Sequence, residues 1–393
     1  MFGGSRKKSS CPVGLDVGES GVRMLQVTLR GGRAQAIAAA SASLPEGLKP
    51  ADSGYAEALA SAIRSAWSGG GFTTNRVVSA LPASSVQCKN LRLPAMPADE
   101  LASAVEWEAA DRFRMGEGQC SVQFLNAGQV SQGDEVRQEL ILLAARLAEV
   151  EAHVTALTAA GLRPVAIDAV PTSLARLSAL RGDNPSALAD EVPVNVIIDV
   201  GQSATKVLIE SAGQVRFYKP IEIGVEAFES VLCGALSIKL DEARDLRLRV
   251  SSEDETDSAD GREQDRKKLL NALEPTLNEL AREIGLCLRY YGVTFRGARP
   301  GSAEMVGGGA APWLAEALSE SAGMAFSLDP LLQKIDLSAV RREILPSREN
   351  AWAVSAGLSV RDHVKLIDPR FGEESQSGDS VFDRHKPAKG VAA

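Results

Sequence analysis

One motif in this chain occurs twice, and no other feature constrains the fold as strongly. Residues 13–25 read Val-Gly-Leu-Asp16-Val-Gly18-Glu19-Ser20-Gly-Val-Arg23-Met-Leu, and residues 196–208 read Val-Ile-Ile-Asp199-Val-Gly201-Gln202-Ser203-Ala-Thr-Lys206-Val-Leu. Each copy is an apolar strand, Asp-Val-Gly, a polar residue, Ser, two more residues, a cation and a second apolar run. That order predicts a β-hairpin whose tight turn uses Gly18 or Gly201 and whose backbone amides can hold an anion. A single copy is a common loop with a surface Asp. Two copies at matching places in two half-chains predict a duplicated, two-lobed α/β fold with one phosphate-gripping hairpin on each lobe.

A chain of 393 residues is long enough for two or more cores. Its net charge of −8, with no basic stripe interleaved with aromatics, argues against a nucleic-acid partner. Cys11, Cys88, Cys120, Cys233 and Cys287 lie far apart with no CxxC pair, as expected of buried thiols in a reducing compartment. The basic residues Arg6, Lys7 and Lys8 are not followed by an apolar stretch, so no signal peptide is expected. No run approaches the roughly 18 uncharged apolar residues of a spanning helix. A cytoplasmic protein is expected, one with no direct membrane insertion that meets a membrane through a partner.

Composition and periodicity divide the chain further. Residues 1–12 read as a flexible segment, 13–82 plus 163–190 as the first lobe, and 191–370 as the second. Between the halves of the first lobe, 83–162 read strand, helix, two strands, helix: an inserted small α+β subdomain. The acidic, Ser-rich stretch 251–265 reads as a mobile loop, and 371–393 as a disordered tail. A long helix is expected over 269–291, interrupted or started near Pro275.

Four elements can be placed around one nucleotide. The amides of the two hairpins, with Ser20 and Ser203, would hold phosphate oxygens, while Asp16 and Asp199 would approach a hydrated Mg²⁺. Gly307, Gly308 and Gly309 follow a strand and precede a helix, which lets a ligand approach the backbone; alone, such a run is more often a tight turn. Asp168, at the end of a strand over 165–169, could order an attacking water as a general base, or cap the helix that follows. His153, His363 and His385 show no metal-ligand spacing, and GxSxG, GxxxxGK[ST] and GxGxxG are all absent.

In order and spacing these words resemble the PilM family of type IV pilus assembly proteins, within the FtsA/actin/Hsp70 superfamily. Residues 16–23 are similar to the family's opening DIGSSSVK. Residues 93–109 look like LPxMPxxEL…I.wEA, and 153–168 like LxxAGLxPxxvD. The second hairpin, 283–291, 307–310 and 356–358 complete the series over roughly 13–360. The resemblance implies a duplicated actin-like (ribonuclease H-like) fold carrying an extra subdomain at 83–162. It implies ATP or ADP with Mg²⁺ between the lobes. The phosphates would be bound by Asp16, Gly18, Glu19, Ser20, Arg23, Asp199, Gly201, Gln202, Ser203 and Lys206, and the adenosine by Glu283, Gly307, Gly308 and Gly309. The implied partner is a PilN-like single-span membrane protein, caught by its N-terminal peptide at the inner-membrane platform of a pilus or secretion system. Turnover would be slow at most, and self-association is left open.

Three positions depart from the family pattern. Glu19 stands in place of a small hydroxyl residue, implying a carboxylate near the phosphates that weakens ATP binding or shifts Mg²⁺. Arg23 replaces a lysine, and 111–115 replace YIPF beside the inserted subdomain. Two other readings remain open at this stage. A sugar-kinase-like phosphotransferase would not need the inserted unit. An FtsA-like filament former would carry an amphipathic membrane helix, which the polar tail does not provide.

Overall fold

The structure is a computed structural model that describes residues 10–366, apart from 31–32, 114–118, 134, 181–193, 212, 252–258, 297–299, 329–334, 341–348 and 365. In chain order the first lobe opens with β1 (Ser10–Val17), β2 (Gly21–Arg30), β3 (Arg33–Ser43), α1 (Tyr55–Gly70) and β4 (Arg76–Ala80). Then come β5 (Gln87–Pro94), α2 (Ala98–Phe113), β6 (Cys120–Gln132), β7 (Glu135–Arg146) and α3 (Leu147–Ala159). The chain continues through β8 (Arg163–Asp168), α4 (Val170–Ala179), β9 (Val194–Val200), β10 (Thr205–Ser211) and β11 (Gln214–Ile221). Last are α5 (Val225–Leu236), α6 (Leu240–Ser251), α7 (Ala259–Phe295), β12 (Ser302–Val306), α8 (Pro312–Ala322), β13 (Ala325–Ser327), β14 (Ile335–Asp336) and α9 (Ala353–Ser359).

The duplication is visible in the sheets. The first is ordered β14-β3-β2-β1-β4-β8 and the second β11-β10-β9-β12-β13. From β3 in the first and β11 in the second, three antiparallel strands are followed by a parallel fourth and fifth; β14 adds a parallel edge strand to β3. Helices cover both faces of these sheets, so their central strands are apolar almost throughout. Val13, Leu15 and Val17 pack with Leu59 and Ile63 of α1, while the opposite face of β1 meets α9. Between the lobes α4 and α9 cross closely: a Cβ on Gly357 would lie 2.0 Å from the Ser173 carbonyl oxygen, so only glycine allows this approach.

Several elements fall differently from the sequence reading. The second lobe was expected to hold everything over 191–370, yet β14 pairs with β3 and α9 packs on β1 and α4 of the first. The helix α9, Ala-Val-Ser-Ala-Gly-Leu-Ser, is buried on every side, which leaves no polar face to betray it as an amphipathic helix. Strand β1 begins at Ser10, within the segment expected to be flexible. The acidic stretch splits: 259–265 form the start of α7, which runs through Pro275 without ending there, and 252–258 lie outside the described residues. The tail 371–393 lies outside them too.

The inserted unit is a three-stranded antiparallel sheet, β5-β7-β6. One face carries Leu91, Phe124, Leu140 and Leu142 against Leu101, Val105 and Phe113 of α2. The other places Leu125, Ala127, Ile141 and Leu143 in a core shared with Leu25, Leu208, Val215 and Tyr218 of the two lobes. Hydrogen bonds follow the same seam: Gln214 donates to the Asn126 carbonyl at 2.8 Å, and Arg216 to that of Ala127 at 2.9 Å. The helix α3, expected in this unit, packs instead on α1 and β8.

Candidate functional site

The repeated motif forms two hairpins of the same register. Asp16 pairs with Arg23 across β1 and β2, and Asp199 with Lys206 across β9 and β10. The turns close alike, with the Gly18 N–H donating to the Gly21 carbonyl and the Gly201 N–H to the Ala204 carbonyl, each at 2.9 Å. Each motif therefore presents a carboxylate and a cation side by side at the end of a central strand, with a four-residue loop above them.

The glycines of the two turns are not equivalent. A Cβ on Gly201 would come within 2.9 Å of both the Ala204 carbonyl and the Lys206 ammonium. On Gly18 it would meet nothing nearer than the Gly21 carbonyl, at 3.5 Å. The residue that the first hairpin cannot enlarge is Gly21, whose Cβ would lie 2.4 Å from the Ala42 carbonyl on β3. Sequence reasoning missed it because the obstacle lies on another strand.

The hairpins face each other. Ser203 of the second donates its hydroxyl to Glu19 Oε1 of the first at 2.8 Å and its backbone N–H to Oε2 at 3.2 Å. Lys206 sits 2.9 Å from Asp199, both nearly sealed from water. Burial would strip the Lys206 proton, but Asp199, with Asp16 and Glu19 behind it, holds the ammonium above its ordinary pKa. Asp16 goes the other way. Desolvation raises it to about 6, Arg23 and Lys206 opposing and Asp199 and Glu19 assisting.

The glycine loop completes the floor. Gly307, at φ +95°, follows β12; its missing Cβ would lie 2.4 Å from Asp199 Oδ1. The Gly309 N–H donates to the Val200 carbonyl at 2.9 Å. From the first hairpin, Arg23 reaches this loop, since a Cβ on Gly308 would lie 2.9 Å from its guanidinium. Ser20 takes part through its carbonyl, which accepts from the Leu44 N–H, and the Gln202 carbonyl accepts from the Glu226 N–H at the start of α5.

Two sequence candidates lie apart from this group. Asp168 is two strands from Asp16 in register, about 10 Å away. Its oxygens accept from the Ala169 N–H and the Thr172 hydroxyl and pair with Arg176 at 2.6 Å and Arg361 at 3.2 Å. Burial pushes its pKa up, but the two guanidiniums and those hydrogen bonds outweigh it and leave the carboxyl below its usual range. Such an anion ties α4 to the chain after α9 and is poorly matched to proton abstraction near neutral pH. Glu283 pairs with Lys219 of β11 at 3.1 Å and with Arg282 at 2.8 Å. That strand stands three places, about 14 Å, from β12 and the glycine loop.

The donor set fits an anion, since the Ser203 amide and hydroxyl already grip a carboxylate. For a metal the fit is poor. The described residues contain no group of three or more His, Cys, Asp or Glu that could hold one, and Lys206 already neutralises Asp199. Magnesium would enter with a nucleotide as its counter-ion.

Residues 14–363 match the family model described as type IV pilus assembly protein PilM. The solved PilM–PilN type IV pilus biogenesis complex contains a chain 23% identical to this one, at a TM-score of 0.71, over 89% of this chain and 98% of that one. The ethanolamine utilization protein EutJ from Carboxydothermus hydrogenoformans is 13% identical, at a TM-score of 0.52, over 89% of each chain. These likenesses, with the duplicated sheet order, establish the actin-like two-lobed fold.

Proposed function

The chain belongs to the family of type IV pilus assembly protein PilM, and from that membership we propose that it is a cytoplasmic actin-like scaffold with two ligands. It holds the phosphates of ATP or ADP between its lobes and captures the cytoplasmic N-terminal peptide of a PilN-like single-span protein. The observation that carries the nucleotide half is the pair of hairpins in matched register, meeting at Ser203 and Glu19. The Ser203 amide and hydroxyl, with the Lys206 and Arg23 cations, are the groups that would hold phosphate oxygens; bound nucleotide would supply anionic charge bridging the lobes. Closure of two lobes around a ligand is a two-state element that can bias a partner's binding.

The partner half is supported by the solved relative's being a complex with PilN. An extended peptide between the three-stranded unit and the first lobe would be gripped by main-chain hydrogen bonds and a few side-chain pockets. Among the described residues no helix is long and apolar enough to cross a membrane, so recruitment to the membrane face would run through that partner. With Asp168 committed to its two arginines, turnover is slow or absent. Calorimetry with Mg·ATP and Mg·ADP, and fluorescence anisotropy with a labelled N-terminal peptide of a PilN-like protein, test the two halves separately. Heat-silent titrations at millimolar nucleotide would remove the first, and flat anisotropy the second.

A further inference from the structure

Glu19 lies in the turn between β1 and β2, and the structure gives it a specific occupation. Standing on the first hairpin, its carboxylate takes the hydroxyl and the backbone N–H of Ser203 on the second, at 2.8 and 3.2 Å. These are the same two donors that a phosphate oxygen would need. We propose that Glu19 is a built-in anion, which occupies the second hairpin's anion hole and latches the lobes together until a nucleotide displaces it. Its second step, displacement, rests on the nucleotide reading above; the latch itself does not.

Charge supports the assignment. Asp16 is repelled by the charges of Asp199 and Glu19 and attracted by Arg23 and Lys206, so carboxylates outnumber cations three to two around the facing turns. An incoming nucleotide therefore meets both an occupied donor pair and an excess of negative charge. Charge-assisted hydrogen bonds of this kind are about twice as strong as neutral ones, so the contact holds best when no competing anion is present. A second contact bridges the lobes in the same sense. Glu46, beyond β3 in the first lobe, accepts from Arg244 of α6 at 2.7 Å, and Arg244 lies 3.6 Å from the buried Glu229. Both bridges join an acidic side chain of the first lobe to donors of the second, so the lobes can meet without a ligand.

The test compares the full chain with Glu19→Ser and Glu19→Gln. Hydrogen exchange of the Ser203 amide, followed in the nucleotide-free protein on the peptide 200–206, reads the latch directly. Glu19→Ser is expected to speed that exchange by about tenfold, with Glu19→Gln between, and to tighten Mg·ATP by about tenfold in calorimetry. Ser203→Ala, which deletes the hydroxyl donor from the opposite side, should loosen the lobes similarly. Unchanged exchange in Glu19→Ser would overturn the proposal. So would weaker Mg·ATP binding by Glu19→Ser than by the wild type, since Glu19 would then serve the bound state. Faster exchange with no nucleotide binding by any variant would keep the latch and discard the nucleotide reading.

Discussion

The Lys206 ammonium lies 2.9 Å from the Asp199 carboxylate, and the two side chains are 9% and 6% exposed. Removing one partner of so buried a pair leaves the other without compensation, which costs about 3–5 kcal/mol. Lys206→Met should lose that much stability in urea unfolding. Adding Asp199→Asn should recover most of it, because no buried charge is then left alone. A double variant as unstable as the single one would show that the lysine matters for packing and not for charge.

Half-buried Asp16 and buried His153 should oppose each other in the pH dependence of stability. Asp16 titrates at about 6 in the folded chain against a reference of 3.8, through desolvation. The folded state thus holds its proton more tightly, and stability from this group falls as pH rises from about 4 to 6. His153, buried with its Nε2 2.9 Å from the Ser79 hydroxyl, is lowered by desolvation from 6.5 to about 4. Its contribution rises with pH across nearly the same window. Each shift is worth about 3 kcal/mol, so the wild type should be nearly flat there. Asp16→Asn should gain stability from pH 4 to 6.5, and His153→Gln should lose it from pH 4 to 6. Denaturant titrations across that range check the slopes, and parallel slopes in all three proteins would contradict both assignments.

What the sequence disclosed was local. Asp-Val-Gly-x-Ser with a cation three residues on marks a hairpin by itself, so both hairpins were expected, whereas the ion pair of Lys206 with Asp199 was not. Asp168 could not be placed without Arg361, 193 residues further along, and its second arginine, Arg176, lies a helix turn or two away. The role of Glu283 depended on Lys219, on a strand that sequence spacing does not set beside α7. The return of α9 to the first lobe was hidden for a related reason: a helix of small residues buried all round has no periodic stripe. Tertiary partners, and not propensity, decided each of these positions.

The two glycine positions of the first hairpin should separate under substitution. Gly21→Ala drives a Cβ against the Ala42 carbonyl and should cost about 1–3 kcal/mol, whereas Gly18→Ala should stay within about 0.5 kcal/mol. Melting temperatures of the two variants suffice to check this. Comparable losses at both would mean that the turn, and not the approach to β3, limits the side chain.

The three-stranded unit should unfold with the lobes. Leu143 faces the core that also holds Leu208 and Tyr218, so Leu143→Ala should cost about 2–5 kcal/mol and lower one common transition. For the same reason, deleting the unit would strip cover from both lobes, and its role in peptide binding is better probed by point changes. Two resolved transitions in calorimetry would show that the unit folds on its own.

If a side chain of the protein already latches the lobes, partner binding should depend little on nucleotide. Coupling between two ligands requires that each favour one of two states, and a wild type held closed by Glu19 leaves nucleotide little population to shift. Labelled PilN-like peptide should therefore bind the wild type with nearly the same affinity in the presence and absence of Mg·ATP. In Glu19→Ser the free lobes are less constrained, so Mg·ATP should change peptide affinity by roughly fivefold or more, within the ordinary range of such couplings. By reciprocity, the peptide should change nucleotide affinity in that variant by the same factor. Anisotropy and calorimetry on the same samples give both numbers independently. A wild type whose peptide affinity moves with nucleotide as far as that of Glu19→Ser would place the switch elsewhere than at the Glu19–Ser203 contact.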